Sequence, residues 1–331
     1  MAIARDLQRL KTRWQGRRDR NFRRPMIREI GAGLLGQLYL DRGEGPAATT
    51  FLAGHDRSGT TWLAEIVNFG KRYRYLFEPF SPGRLDITEA FRPRQYLRAT
   101  DRDPRYVEPA RAIVSGQVRS LWADKYNRAV LPRKRLIKEV RSNLLLPWLH
   151  DLFPGMRIVL ALRHPCAVAH SQMSVSSNWK ANPSLFLEQE VLVEDHLGPF
   201  LDVINGAATD FERHIAVWCI DNYVPLRALG RGDAHVVFYE NVCVDPAGEI
   251  ARLLDYLGDP FDQEVVRVAG RPSATTRRDS AIVSGQSLVD GWRRGVDRDQ
   301  IAAAVRILRA FGLDRIYGDG SMPLVTDPFG A

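Results

Sequence analysis

Short apolar runs and helical periodicities alternate along this chain. Ala47–Ala53, Tyr73–Phe77, Arg135–Val140, Arg157–Leu162 and His235–Tyr239 read as strands, and Arg157-Ile158-Val159-Leu160-Ala161-Leu162 is nearly continuous in apolar residues, as a strand covered on both faces of a parallel sheet must be. Apolar residues at helical spacing predict helices over Thr60–Phe69, Arg111–Asn127, Leu144–Asp151, from Ala167 onward, Phe211–Leu229, Gly248–Leu257 and Gln300–Phe311. Ile27–Leu40 predicts a helix or a helix running into a strand, closed by Arg42-Gly43-Glu44-Gly45-Pro46. Residues 80–110, rich in Pro and Arg, read as loop with short helices, and 176–200 as irregular. Strands alternating with helices predict an α/β fold of three layers, with a central parallel sheet and right-handed crossovers. A single domain is expected over 46–331, after a basic arm with helices over 1–45. In such sheets ligands bind beyond the C-terminal strand ends. The most distinctive polar segments fall there, after Ala53, Leu162 and Phe238.

Charge changes this picture at one end only. The formal net charge is +8; of 47 Lys/Arg and 39 Asp/Glu, residues 1–28 hold ten and two, so the remainder carries 37 of each. The body is therefore not expected to bind nucleic acid. The arm places Ile3, Leu7, Leu10 and Trp14 at helical spacing among its arginines. That pattern suits a helix packed on its own domain with a solvated arginine face, or docking on an anionic membrane surface or an acidic partner. The three cysteines, Cys166, Cys219 and Cys243, have no metal-ligand spacing and make no disulfide framework. With no apolar segment of signal-peptide or membrane-spanning type, a reducing, cytoplasmic location is expected.

The candidate chemistry begins at Gly54-His55-Asp56-Arg57-Ser58-Gly59-Thr60-Thr61-Trp62. Two glycines with four residues between them, between a strand and a helix, let consecutive backbone N–H groups converge on an anion at the helix's positive end. The nucleoside-triphosphate version of this loop has a lysine after the second glycine, and here Thr60 stands there. The loop therefore predicts a phosphate-like ligand other than ATP or GTP, with Arg57 as its cation. A second segment, Arg163-His164-Pro165 with Ser171 eight residues after the arginine, leaves the strand ending at Leu162 and supplies groups for a second phosphate.

Together the two segments resemble the PAPS-dependent sulfotransferase family, whose 5′-phosphosulfate loop and 3′-phosphate motif have this order and spacing. Val237-Phe238-Tyr239-Glu240-Asn241-Val242, with Asp245-Pro246 and Leu253–Gly258, extends the resemblance over roughly residues 48–318. The resemblance implies roles by position. Arg57 contacts the bridging oxygen and sulfonate. Ser58, Gly59, Thr60 and Thr61 hold the 5′-phosphate. Trp62 and Tyr239 lie beside adenine, although a core aromatic accounts for either on spacing alone. Arg163 and Ser171 hold the 3′-phosphate. Arg277, Arg278 or Arg293 complete that grip, or form an exposed basic loop.

Cytosolic phenol-type members place a histidine base two residues after a lysine at a strand end. Here Lys138 is followed by Glu139 and Val140, which points to the carbohydrate or bacterial type with a glutamate base. Glu78, in Leu76-Phe77-Glu78-Pro79, is the first candidate, Glu139 the second and His55 the third, with Lys138 assisting at the sulfonate; the alternative for Glu78 is a helix-capping or salt-bridging carboxylate. The expected reaction is in-line transfer of a sulfuryl group from PAPS to a hydroxyl or amine of a carbohydrate, glycolipid or other metabolite, leaving adenosine 3′,5′-bisphosphate and requiring no metal. Arg84, Tyr96, Arg98, Trp122 and Trp179 are expected to shape the acceptor pocket. A non-catalytic phosphate- or nucleotide-binding module docked through the arm, and a kinase-like phosphotransferase, are the alternatives.

Overall fold

The computed structural model of the protein describes residues 31–175, 180–270 and 287–329. The basic arm of residues 1–28 lies outside them, as do Trp179, Arg277 and Arg278. Five strands, β1 (Thr49–Gly54), β2 (Tyr73–Phe77), β3 (Lys134–Lys138), β4 (Arg157–Leu162) and β5 (His235–Phe238), form one sheet in the order β2-β3-β1-β4-β5. Every neighbouring pair is parallel, so all five C-terminal ends open on one edge. The chain fills positions on one side of β1 with β2 and β3, then crosses to the other with β4 and β5. The reversal at β1 and β4 is the crevice at which open α/β sheets bind ligands.

Alternate strand residues enter opposite cores, which explains why the strands are apolar throughout. Phe51, Ala53, Leu76, Ile137, Ile158, Leu160, Leu162 and Phe238 belong to one apolar cluster. Leu52, Tyr73, Tyr75, Phe77, Leu136, Val159, Ala161 and Val237 belong to the other. The longer helices in chain order are α1 (Thr60–Val67), α2 (Pro104–Val114), α3 (Leu146–Leu152), α4 (Pro165–Val175), α5 (Asp210–Ala228), α6 (Tyr239–Val244), α7 (Pro246–Tyr256), α8 (Gln263–Ala269) and α9 (Arg298–Ala310). Helices α2, α3, α4, α5 and α9 contribute to the first cluster, and α1, α7 and α8 to the second, giving three layers. Helices α5 and α9 both start with a capping box, Thr209 with Glu212 and Asp297 with Gln300.

Several expectations are corrected. The helix expected over Arg111–Asn127 is instead α2, Pro104–Val114. Asp103 caps it by accepting from Arg105 N–H, and Gly116, at φ 75°, lies just beyond its end. Residues 117–133 then run irregularly beside the edge strand β2. Phe77 N–H donates to Ala123 O at 2.7 Å and Tyr75 N–H to Asn127 Oδ1 at 3.3 Å. Arg74, fully buried, binds Asp124 at 3.0 Å. Satisfying an otherwise bare strand edge outweighs helical periodicity here. The strand expected to reach Val140 ends at Lys138, although Glu139 N–H still donates to Leu52 O at 2.8 Å. Tyr239 opens α6 rather than closing β5. Residues 31–45, placed with the arm in the sequence reading, bond to the body: Leu40 N–H donates to Val130 O at 2.8 Å, and Asp41 pairs with Arg74 and Arg135.

Candidate active site

The loop after β1 is shaped by its two glycines. A Cβ on Gly54 would sit 2.7 Å from Thr60 Cγ2 and 2.8 Å from Ala161 O, so only hydrogen fits between β4 and the returning helix. Gly59 turns the chain at φ 85°, and a Cβ there would meet Tyr239 Cδ2 at 2.7 Å. Arg57 also takes a left-handed conformation, at φ 75°. Ser58 N–H donates back to His55 O at 3.0 Å, tightening the turn. No side chain caps α1, so its first-turn N–H groups remain for a ligand. Ser58 Oγ is buried without a hydrogen-bond partner. A buried hydroxyl left so is costly, and an oxyanion seated on the loop would satisfy it.

Beneath the loop is a charge network that sequence reasoning missed. His55 is fully buried; its Nδ1 lies 2.6 Å from Asp221 Oδ2, and its Nε2 3.0 Å from Gln172 Nε2. With the carboxylate accepting and the amide N–H donating, Nδ1 carries the proton. Burial and then the Arg94 charge hold the ring well below the usual histidine range, hence neutral. Both ring nitrogens are occupied, which removes His55 from the list of candidate bases. Asp56 accepts from Arg94 at 3.2 Å and from Arg141 at 3.1 Å, and Arg94 also pairs with Asp221. Burial lowers Arg94 to about 10. The only sequence signal for this network was Asp221 itself, an acid ending the apolar run Ile215–Ile220 on α5.

Three motif residues from distant positions form one wall beside the loop. Arg163 donates from NH1 to Arg57 O at 3.0 Å, and its guanidinium carbon lies 4.1 Å from the Tyr239 ring centroid. Arg163 Nε is buried without a partner. Arg57 Nε donates to Ser171 Oγ at 3.0 Å, joining the cation of the first motif to the serine of the second. Trp62 and Tyr239 rings are 5.3 Å apart and tilted by 59°, and Trp62 Nε1 donates to Ala269 O at 3.0 Å. Trp62 is 8% exposed and belongs to the core, whereas Tyr239 keeps a partly open face. Burial raises the Tyr239 phenol to about 12, so it stays protonated.

A second cluster stands at the ends of β2 and β3. Lys138 Nζ donates to Glu78 Oε1 at 2.7 Å, with Glu78 in a left-handed conformation at φ 45°. The bend is held by Glu78 N–H donating to Lys138 O at 2.8 Å and Trp122 Nε1 donating to Glu78 O at 3.2 Å. Arg84 stacks over Trp122 at 3.7 Å, and Lys125 lies 3.5 Å from the same ring and 4.1 Å from Phe77. The neighbouring Glu139 is 1% exposed, and its two oxygens accept from Phe80 N–H at 2.7 Å and Ser142 Oγ at 3.2 Å. Burial, and then the Glu78 charge, pushes Glu139 up to about 8. Glu78 keeps 16% of its side chain exposed, so the two carboxylates differ in access. β3 alone separates β2 from β1, and Lys138 on β3 pairs in register with Leu52 of β1, so the two clusters stand side by side across the sheet.

Other expected residues lie elsewhere. Arg293 is exposed and bonds Ser321 Oγ at 2.8 Å and Asp319 O, in the C-terminal segment. Tyr96 and Arg98 form a separate cluster: Arg98 binds Asp195 and Glu194 at 2.7 and 2.8 Å, and Tyr96 OH donates to Asp195 at 2.9 Å. Arg277 lies outside the described residues.

A sequence profile described as Sulfotransferase family matches residues 50–263, which include the loop, the Glu78–Lys138 cluster, Arg163, Ser171 and Tyr239. The chain belongs to the sulfotransferase family. This sulfotransferase-family chain is 28% identical over 227 residues, 63% of its length, to the nodulation protein NoeE of Sinorhizobium fredii. It spans half the length of that relative. Among solved structures it is similar to sulfotransferase STF9 from Mycobacterium avium, at 15% identity and a TM-score of 0.45, covering 97% of this chain and 84% of that one. It is also similar to mouse sulfotransferase SULT7A1 complexed with PAP, at 14% identity and a TM-score of 0.38, covering 86% and 88%. The family assignment rests on the sequence profile. Among the described residues no helix is long and apolar enough to cross a membrane.

Proposed function

We propose that this protein transfers a sulfuryl group from PAPS to a hydroxyl or amine of an acceptor, with a carbohydrate, glycolipid or similar metabolite as the acceptor class. The observation that carries this reading is the joining of the loop to Arg163, Ser171 and Tyr239, where two buried polar atoms, Ser58 Oγ and Arg163 Nε, are left without partners. These groups suit a donor with two separate phosphates. Ser58, the Gly59, Thr60 and Thr61 amides and Arg57 would hold the 5′-phosphosulfate, and Arg163 with Ser171 the 3′-phosphate. PAPS supplies an activated sulfuryl group whose bond to the 5′-phosphate breaks as the acceptor oxygen or nitrogen bonds to sulfur.

The chain's own work is positioning and charge stabilisation. The α1 N-terminus and Arg57 stabilise negative charge at the loop. Glu78 takes the acceptor proton, oriented by its ion pair with Lys138. Its access, set against the doubly bonded and buried Glu139, supports Glu78 over Glu139 in this role.

Glu78→Gln is expected to lower turnover on the order of a hundredfold or more, the scale of general-base catalysis, while calorimetric affinity for adenosine 3′,5′-bisphosphate stays unchanged. Unchanged turnover removes Glu78 from this role. Tight bisphosphate binding without magnesium supports the donor assignment; magnesium-dependent ATP binding instead would identify a phosphotransferase.

A further inference from the structure

We propose that residues 34–40 with Val130 and Leu131 form a docking face for an anionic lipid surface. The face is separate from the donor and acceptor clusters. It is built from two chain segments joined by backbone hydrogen bonds, Leu40 N–H to Val130 O and Arg42 N–H to Pro132 O, both at 2.8 Å.

Six large aliphatic side chains stand out from these segments. Leu34, Leu35, Leu38 and Leu40 are 45%, 63%, 68% and 57% exposed, and Val130 and Leu131 are 66% and 58% exposed. The local structure forces them outward. Residues 31–36 are helical, and the side turned to the body is carried by glycine: a Cβ on Gly33 would sit 2.7 Å from Leu121 O, and one on Gly36 would collide with Asp124 O. Close seating of that glycine face leaves Leu34 and Leu35 on the other side. Beyond the helix, Tyr39 is buried at 8% exposure, with Arg74 and Arg119 each 4.2 Å from its ring. With Tyr39 turned in, its extended neighbours Leu38 and Leu40 point out together.

Charge decides the occupant. Arg42, Arg128 and Arg133, all exposed, flank the two segments in sequence, and the exposed Arg119 donates to Gln37 O at 3.4 Å and Tyr39 O at 3.1 Å. The same segment continues N-terminally into residues 1–28, where ten Lys/Arg face two Asp, while the rest of the chain is neutral. The net positive charge of the whole protein is thus concentrated, in sequence, just before its exposed leucines. Aliphatic side chains flanked by arginines match the interface of an anionic bilayer, where leucines enter the acyl boundary and guanidinium groups meet phosphate.

The test is flotation of the full chain with phosphatidylglycerol–phosphatidylcholine vesicles and with phosphatidylcholine vesicles, without donor or acceptor. Its outcome is therefore independent of the sulfuryl-transfer reading. The chain is expected to float with the anionic vesicles only and to be released by raised salt. The double substitution Leu35→Asp with Leu38→Asp should cut the bound fraction at least about tenfold at unchanged melting temperature, since both side chains are already solvent-facing. In Leu38→Trp, anionic vesicles should shift the emission of the new indole to the blue. Absence of flotation, equal binding to neutral vesicles, or full binding by the double variant overturns the proposal; the last result would assign binding to the arm alone. A dimer that the double variant dissociates, without vesicle binding, would overturn it in favour of a second copy.

Discussion

The two halves of the candidate site are built differently. On the donor side, the loop after β1, Arg163 after β4 and Tyr239 after β5 come from short motifs, and their fit depends on backbone shape: Gly54 and Gly59 leave no room for a Cβ. On the acceptor side, Glu78 and Lys138 meet across two strand ends, and the surrounding Trp122, Arg84 and Lys125 come from irregular chain. Backbone geometry writes itself into sequence as glycines at fixed spacing. A surface assembled from long-range side-chain contacts leaves no such spacing.

Substitutions on each side should separate the two. Beyond the Glu78→Gln contrast, Arg163→Ala should produce the next largest effect. A charge-assisted hydrogen bond contributes about 1.5–3 kcal/mol, so affinity for adenosine 3′,5′-bisphosphate should fall roughly 10- to 100-fold. Calorimetry that finds both variants weakening the bisphosphate equally would erase the division.

Glu139 gives a subtler test on the acceptor side. Its folded value of about 8 lies above the ordinary carboxylate value of 4.5, so between these the folded state binds the extra proton. Stability from this group is present in full below about pH 4.5 and is lost as pH rises through about 8. Glu139→Gln should flatten the decline in melting temperature between pH 5 and 9 and change turnover only slightly. A collapse in turnover with the same pH profile would return Glu139 to the chemistry. The smallest effect is expected from Arg98→Gln. That arginine is 46% exposed and paired with surface acids, an arrangement that solvent screens; steady-state kinetics should be unchanged, and a large rise in acceptor KM would extend the acceptor surface to the Arg98 cluster.

The strands were legible because burial on both faces makes them apolar without interruption, and each lies within two residues of its expected span. The helix at 111–127 was misplaced because periodicity carries no information about an edge strand seeking hydrogen-bond partners from 117–133. Glu78, Lys138, Arg163, Ser171 and Tyr239 are found at strand ends or early helix turns, as their positions suggested. Arg293 points into a C-terminal segment whose course nothing near it encodes. The His55–Asp221 contact joins residues 166 positions apart, and no local pattern records such a pair.

β3 touches both halves. Lys138 holds Glu78, and Arg141, three residues on, holds Asp56 of the loop. The strand end thus works as a ruler between acceptor and donor. For an engineer seeking a new acceptor, Glu78 must stay in place and Lys138 to Arg141 must keep their length, since one inserted residue would move one mark of the ruler without the other.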